Sequence, residues 1–512
     1  MTPPTAPPTS LFRHPDFVRF WTAQTVAQFG SQVSVLAIPL VAIVVLGSSA
    51  FEVALLSTIE FLPFVFFALP AGVWIDRLRR RPILIGADVG RAALLATIPL
   101  AYALGVLTIG QLYAVGFVVG TLTVFFDIAY QAYLPSLVDR DRILDGNAKL
   151  ETSRSVAQTA GPAIAGWLIG VLTAPIAIVV NSVTFLASAA ALLAIRRHET
   201  APGADDRVAA EDRVGATGRV GADDRVGADD RAGATDRVGA SPAATGLRRE
   251  IAAGLRYVAA NPYLRSIAVT MAWANLFGQI VFSLYLLYGV RDLGLDAATL
   301  GVVLAIGNIG LIAGAVSASW FARRLGLGRA ITLSLVVAGP SILLIPLAPP
   351  DAAIPFLIVS GMLVGWSVLV FNVNQVSFRQ AITPVHLQGR MNATMKFIAA
   401  ATIPAGSIIG GVLATALGLR EAILIGAIGG SFAFLPALFS PVWRLRGVED
   451  VPDRPGGPGV AGGQKAAGKP EAAGIMPGAT LGILEPTFGG AEAPPKRSKA
   501  VVDDRASGSG GD

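Results

Sequence analysis

Long apolar runs alternate with short polar segments along this chain, and the apolar runs fall into two groups of six. A helix of about 20 apolar residues crosses a hydrocarbon core of about 30 Å and satisfies its own backbone hydrogen bonds there. The pattern therefore predicts an all-α membrane protein with twelve transmembrane helices. The predicted spans cover residues 17–45, 51–74, 83–104, 111–135, 154–173, 175–195, 264–289, 298–321, 329–349, 353–378, 392–417 and 420–441.

The polar segments predict how these spans are oriented. Arginine and lysine cluster on alternate loops, whereas the opposite loops carry only Arg291 and Arg420. Basic loops stay on the cytoplasmic side, so we expect both termini and the long central loop in the cytoplasm of a bacterial cell membrane. The net charge of +6 then comes largely from arginines in short loops, which set the orientation of the protein in the membrane. No nucleic-acid partner is expected.

The two groups of six also repeat each other. Arg19 corresponds to Arg265 at an offset of 246 residues, and Asn147 corresponds to Asn392 at an offset of 245. Such a repeat predicts two pseudo-symmetric bundles with a solute site between them. The predicted organisation is a cytoplasmic tail (1–16), an N-terminal bundle (17–198), a linker (199–246), a C-terminal bundle (247–441) and a C-terminal tail (442–512).

The linker and the C-terminal tail are predicted to be disordered. In the linker, arginine recurs every six residues from Arg207 to Arg237, a period that fits neither a helix nor a strand. The tail is rich in glycine, proline and alanine, and neither segment has the apolar residues needed for a core.

Composition argues against catalysis. The chain is 53% hydrophobic and 14% charged, it has no cysteine, and its three histidines have no metal-site spacing. The sequence GQKAAGKP (463–470) resembles a phosphate loop, but Pro470 occupies the position of the metal-binding hydroxyl residue. We therefore expect no enzyme, no catalytic residues, no cofactor and no metal.

One polar segment carries a motif. The sequence GVWIDRLRRRP (72–82) follows the second span, and with the twelve spans it resembles the major facilitator superfamily of secondary transporters. The superfamily pattern is matched at Gly72, Asp76, Arg77, Arg80 and Arg81, while Arg79 replaces its second glycine. The segments AGPAIAGWLIG (160–170), FWTAQTVAQFGSQVSVLAIPL (20–40) and FFDIAYQAYLPSLV (125–138) are similar to the branch of macrolide, multidrug and siderophore exporters.

The resemblance implies a monomeric carrier that works by alternating access, with a small molecule, protons and the lipid bilayer as its partners. It also implies that Asp76 faces the start of span 11 when the cytoplasmic side is closed, where the helix dipole favours a carboxylate. We expect Asp76, with Arg77 and Arg80, to latch a cytoplasmic gate. The alternative is a loop acid paired with its neighbouring arginines.

Four ionisable residues fall inside predicted spans of the first half: Glu60, Asp88, Arg91 and Asp127. A charge at the centre of a membrane helix costs about 2.5 to 3.5 kcal/mol on insertion scales, so each needs a partner or an aqueous cavity. Asp88 and Arg91 are three residues apart and are predicted to pair.

Glu60 has no cation at comparable depth in its half, so it favours the protonated form and suits proton coupling. Asp127 is the second candidate for this role. The alternative for Glu60 is a protonated side chain that hydrogen-bonds neighbouring helices.

Uncharged amides predict a substrate cavity, since the resemblance implies that spans 1, 4, 7 and 10 line one. Gln24, Gln28 and Gln32 form one stripe on span 1. The second half contributes Asn275, Gln279, Asn308, Asn372 and Gln375. Hydrogen bonds between helices are the alternative role for each amide.

Small residues predict where the halves meet. The fold implied by the resemblance pairs span 5 with span 8 and span 2 with span 11, and small residues allow close helix approach. The predicted interface residues are Gly161, Pro162, Gly166, Gly406 and Gly410.

The sequence thus favours proton-coupled efflux of a drug, natural product or siderophore. The alternatives are an importer or facilitator of a polar nutrient on the same scaffold and a membrane sensor that transports nothing.

Overall fold

A computed structural model describes residues 11–75, 78–138, 142–196, 245–447 and 450–451. Within these ranges the chain is helical and contains no strand, and twelve helices are long and apolar enough to cross a membrane. The twelve predicted spans are therefore confirmed. The helices of the first half are α1 (Pro15–Leu40), α2 (Ala50–Ile75), α3 (Arg80–Ala103), α4 (Ile109–Leu137), α5 (Ile143–Leu172) and α6 (Ala174–Leu193).

The second half begins with a helix that was not predicted from the sequence, since span 7 was expected to begin at residue 264. This amphipathic helix, α7 (Thr245–Ala260), precedes the six spanning helices of the half. Those are α8 (Pro262–Arg291), α9 (Ala297–Leu325), α10 (Leu327–Leu347), α11 (Ala353–Ile382), α12 (Val385–Leu417) and α13 (Leu419–Ser431), the last extended by a short turn at Leu435–Leu438.

Side chains at the helix starts explain several of these boundaries. Thr108 accepts a hydrogen bond from the Gln111 backbone at the start of α4, and Asn261 accepts two at the start of α8. Asp296 accepts one from the Thr299 backbone at 2.7 Å at the start of α9. Each cap satisfies a backbone N–H that the first helical turn leaves without a partner.

The two halves are packed alike. In the first half, α1 contacts α5 and α6, α3 contacts α4 and α6, and α2 contacts α4. The second half repeats these five pairings with α8 to α13 in the same order. Two helix pairs form the main contact between the halves: α2 with α12 and α5 with α9. The internal repeat read from the sequence thus recurs in helix packing.

The apolar core is divided between two ends of the molecule. We call the end where α1 begins and α6 ends the basic end, and the opposite one the far end. At the far end, the two clusters of buried side chains each combine both halves: Leu287 of α8 joins residues of the first half, and Ala54 of α2 joins residues of the second. At the basic end, each of the two clusters consists of described residues from one half.

Three boundaries differ from the sequence reading. α5 begins at Ile143 instead of residue 154, and α12 begins at Val385 instead of 392, because polar turns continue these helices beyond their apolar stretches. The C-terminal tail was predicted to begin at residue 442, yet Val442 and Leu445 are buried against α10. The backbone N–H groups of Leu327 and Gly328 donate to Arg446 and Leu445. Most of the linker and of the tail lies outside the described residues.

Candidate functional site

The far end joins the halves through close backbone contacts. A methyl group built on Gly166 of α5 would lie 2.4 Å from the Ala297 carbonyl and 2.9 Å from the Cα of Gly301, both on α9. A methyl group on Gly411 of α12 would lie 2.7 Å from the Cβ of Ala54 on α2. Only glycine fits at such distances. These contacts bring the backbones of the two halves close together at the far end.

Two hydrogen bonds also cross between the halves, one at the far end and one near the middle of α5 and α9. The Arg291 guanidinium, at the end of α8, donates to the carbonyl of Ser48 at 2.6 Å. The side-chain amide of Asn308 on α9 donates to the carbonyl of Gln158 on α5 at 2.7 Å. Asn308 was predicted to line the cavity, and the structure places it instead in the contact between the halves.

At the basic end, a methyl group built on Gly72 or on Gly389 would meet no atom of the described residues within 4 Å. Asp76 and Arg77 lie outside the described residues. Arg80 is the first residue of α3, and Arg81 donates to the carbonyls of Leu192 and Leu193 at 3.1 and 2.9 Å. Arg81 thus caps the end of α6, where a cation is favourable to the helix dipole.

The predicted interface glycines divide into two groups. Gly166 and the carbonyl of Pro162 contact Gly301 across the halves. Gly161, in contrast, packs against the side chain of Gln32 on α1. Gly406 and Gly410 pack on the Leu276 and Ile280 carbonyls of α8, within the second half.

The physical reason is helical geometry. Five residues turn a helix by about 140°, so Gly161 and Gly166 cannot face the same neighbour. Gly411 is five residues beyond Gly406 and faces α2 for the same reason. Gly301 is an interface glycine that the sequence analysis did not select, whereas Gly411 was grouped with Gly406 and Gly410 on span 11. Helical phase was the signal that could have separated Gly411 from Gly406.

Glu60 lies where α2 crosses α4. A methyl group built on Gly116 would lie 3.1 Å from the Cγ of Glu60, and one on Gly120 would lie 2.7 Å from its backbone carbonyl. Glycine at position 116 makes room for the acidic side chain, and glycine at position 120 lets the backbones of α2 and α4 approach closely. Glu60 is partly buried, and no described residue forms an ion pair or hydrogen bond with its carboxylate.

Asp88 and Arg91 are brought together in the interior of the first half. Arg91 forms an ion pair with Asp88, and the hydroxyl of Ser188 on α6 donates to the second carboxylate oxygen at 2.6 Å. The guanidinium lies between the rings of Phe126 and Phe185, at 4.3 and 4.2 Å from their centroids. Both charges are thus neutralised and enclosed.

The sequence reading missed Ser188, Phe126 and Phe185, because nothing along the chain tells which helices flank α3. Asp127 lies on α4 beside this cluster, where Arg91 and Arg154 act on it electrostatically. It forms no ion pair with a described residue, so its charge is offset only at a distance.

The predicted cavity amides have different surroundings. Gln279 donates to Ser407 at 3.2 Å within the second half, and Gln375 is only 1% exposed. On α1, Gln24 is buried and Gln32 packs on Gly161. Four of the amides are partly exposed and form no hydrogen bond with a described residue, which leaves them able to contact a solute: Gln28, Gln32, Asn275 and Asn372.

Comparisons with known proteins agree with this architecture. The family model described as Major Facilitator Superfamily matches residues 20–400 and 272–484. A curated relative, the multidrug efflux pump Tap of Mycolicibacterium fortuitum, is 26% identical over 446 residues, which cover 86% of this chain and 98% of that protein.

Two solved structures have similar folds. One is a bacterial homolog of the human lysosomal transporter Spinster in an inward-facing, occupied conformation, with a TM-score of 0.63, 12% identity, and coverage of 85% of this chain and 98% of that one. The nucleoside transporter NupG has a TM-score of 0.61, 13% identity, and coverage of 84% and 100%. At such identities the likeness concerns the fold alone.

Proposed function

Because the chain belongs to the major facilitator superfamily, we propose that this membrane transporter exports amphipathic small molecules in exchange for protons by alternating access. The observation that carries the direction of transport is the relation to a multidrug efflux pump over 98% of that pump's length. The Gly161-Pro162 element, similar to that of exporters, supports the same direction. The substrate class is a macrolide-like drug, a natural product or a siderophore.

The basic end is the cytoplasmic end in this proposal. Its loops carry most of the arginine and lysine residues that flank the spans, which supports that orientation. The halves share their apolar clusters at the far end, which supports assigning this conformation to the inward-facing state of the proposed transport cycle. A solute would enter from the cytoplasm and leave after the far end opens.

Glu60 is the proposed proton carrier. An isolated carboxyl group inside a membrane protein can exist in neutral form and release its proton when water reaches it. The absence of an ion pair with any described residue leaves Glu60 able to make this change. Asp88 is neutralised by Arg91 and Ser188, and we assign it a structural role. Asp127 is the second candidate for coupling.

The gate motif has a separate role in the proposal. When the far end opens, the loop after α2 approaches the start of α12, and Asp76 meets the positive end of that helix. Gly72 near the end of α2 and Arg80 at the start of α3 flank the stretch of sequence that contains Arg77. Arg81 has a different role, since it donates hydrogen bonds to the last carbonyls of α6.

The experiment that tests this function measures pH inside everted membrane vesicles that contain the protein. Respiration acidifies the lumen, and a panel of macrolides, cationic dyes and siderophores is then added. Proton-coupled export predicts a rise in lumenal pH that depends on the compound and that vesicles without the protein do not show. A compound that enters the lumen without proton movement would argue for another coupling mode, and transport only out of the lumen would argue for import.

A further inference from the structure

The inference begins with a backbone carbonyl that a proline leaves without a partner. In an α-helix, each backbone N–H donates to the carbonyl four residues earlier. Pro162 lies inside α5 and has no N–H, so the carbonyl of Gln158 loses its helical donor. An unsatisfied carbonyl in a membrane interior is unfavourable, because the hydrocarbon offers no replacement donor.

The replacement comes from the other half of the molecule. The side-chain amide of Asn308 on α9 donates to this same carbonyl at 2.7 Å. That distance is typical of a well-formed hydrogen bond. The proline thus creates an acceptor on the surface of α5, and the opposite helix provides the donor that fits it.

The surrounding contacts show why this bond depends on the conformation. One turn further along α5, a methyl group on Gly301 would lie 2.3 Å from the carbonyl of Pro162. A methyl group on the same residue would lie 2.8 Å from the Cα of Gly166. Asn308 can reach α5 only while these backbones remain in contact, and separation of the helices would remove the donor.

We propose that Asn308 is a positioning residue that holds the far end closed through the carbonyl freed by Pro162. The bond forms when α5 and α9 meet, and it breaks when the far end opens and water takes its place. This inference rests on the alternating access of the proposed function, but it needs neither a particular substrate nor a particular coupling ion.

A double-mutant cycle tests the pairing. Asn308→Ala removes the donor, and Pro162→Ala restores a backbone N–H that satisfies the Gln158 carbonyl from within α5. In the wild-type background, Asn308→Ala is expected to raise the ratio of open to closed far ends about three- to tenfold, the effect of one hydrogen bond between membrane helices. In the Pro162→Ala background, the same substitution is expected to change that ratio less than about twofold.

The chain suits the measurement because it contains no cysteine. Cysteines introduced at Val106 and Leu417 would carry the only spin labels, and both positions are exposed at the far end, one in each half. The distance distribution between the labels, recorded in nanodiscs without drug or proton gradient, gives the ratio of open to closed molecules.

Two controls separate the hydrogen bond from general packing. Asn308→Leu keeps the volume but not the donor, so it should match Asn308→Ala. Asn181 is another amide that donates to a neighbouring helix, but its acceptor is Ser34 in the same half. Asn181→Ala should therefore leave the distance distribution unchanged.

An equal effect of Asn308→Ala in both backgrounds would overturn the proposal, because the proline would then be irrelevant. The same single distance between the spin labels in every variant would also overturn the proposal. Failure of the proposed function would look different, since a wild-type protein that moves no proton in vesicles could still show the predicted change of label distance.

Discussion

The two halves of this protein have the same helix packing but different chemistry. At an offset of 245 residues, Gly116 of α4 corresponds to Gly361 of α11. In the second half, a methyl group on Gly361 would lie 3.0 Å from the Cα of Gly307, so two glycines pack against each other. In the first half, the side chain of Glu60 occupies the space next to Gly116. The same crossing of helices holds an acid in one half and a close backbone contact in the other.

This difference extends along the spans. The first half has Glu60, Asp88, Arg91 and Asp127 within its spans, whereas no aspartate or glutamate of the second half lies deeper than the first turn of a spanning helix. The packing pairs are thus common to both halves, whereas carboxyl groups deep in the spans occur in the first half. The second half contributes amides, one of which reaches across to the first half.

The largest expected effect concerns the enclosed charge pair of the first half. Asp88→Ala would leave the Arg91 guanidinium buried between Phe126 and Phe185 without its carboxylate. Removing one partner of a buried pair costs about 3 to 5 kcal/mol of unfolding free energy. Thermal unfolding in detergent should show a large decrease in the midpoint.

The double variant Asp88→Leu/Arg91→Leu serves as the control for this prediction. It removes both charges, so its midpoint should lie above that of Asp88→Ala. A midpoint as low as that of the single variant would indicate that the pair contributes more than mutual neutralisation.

The next prediction compares the two equivalent glycines. Gly361→Ala should lower the unfolding free energy by about 1 to 3 kcal/mol, because the new methyl group overpacks the contact with Gly307. Gly116→Ala should affect transport more than stability, since its methyl group would meet the flexible side chain of Glu60 and displace the carboxyl group. Vesicle transport across a pH series should show a shifted pH dependence for Gly116→Ala and an unshifted one for Gly361→Ala. An unshifted pH dependence for Gly116→Ala and a shifted one for Gly361→Ala would argue against a role of Glu60 in transport.

A turn that recurs in both halves gives a smaller effect. Thr173, between α5 and α6, has φ 77° and ψ 156°, a region that suits glycine. The equivalent residue, 245 positions later, is Gly418, with φ 110° and ψ 160°. Thr173→Gly should raise the unfolding free energy by about 1 kcal/mol by relieving backbone strain, and Gly418→Thr should lower it by a similar amount. Thermal unfolding of both variants would test this, and a decrease for Thr173→Gly would contradict it.

The smallest effect concerns the helix starts at the far end. The start of α2 is capped by Ser49 and Glu52, with the backbone N–H and the hydroxyl of Ser49 donating to the Glu52 carboxylate. The start of its counterpart α9 is capped by the carboxylate of Asp296. Hydrogen bonds from Thr299 hold the pKa of Asp296 below its usual range. Asp296→Ala should lower the unfolding free energy by about 0.5 to 1 kcal/mol.

The pH dependence of this cap has a definite sign. The contribution of the charged Asp296 is fully present above the unfolded-state pKa of about 3.9, and it is lost as the pH falls through the lower folded-state value. The unfolding free energies of the wild type and of Asp296→Ala should therefore converge in strong acid and differ at neutral pH. Asp296→Asn should remain close to wild type, because asparagine is also a good cap.

Much of the fold could be predicted because the signals are local. The lengths of the apolar runs predicted the twelve spans. The nearly equal offsets of Arg19 to Arg265 and of Asn147 to Asn392 indicated the two halves. The Asp88–Arg91 contact is equally local, since a spacing of three residues places both side chains on one face of the helix.

The rest depends on which helices are neighbours, and the chain does not encode that locally. Ser188 lies 100 residues from Asp88, and Asn308 lies 150 residues from Gln158. The hydrogen bond of Asn308 across the halves was not predicted for this reason: its polarity was visible, but its acceptor, the carbonyl of Gln158, lies in the other half.

The most direct test of the central claim, that Glu60 couples protons to export, compares two kinds of transport in proteoliposomes. Glu60→Gln should retain exchange of labelled drug for unlabelled drug without a gradient, but it should lose accumulation driven by a pH difference. Glu52→Gln is the matched control on the same helix, and it should retain both activities because glutamine can replace glutamate in this capping position. Accumulation by Glu60→Gln at the wild-type level would contradict the account and would leave Glu60 as a hydrogen-bonding residue between helices.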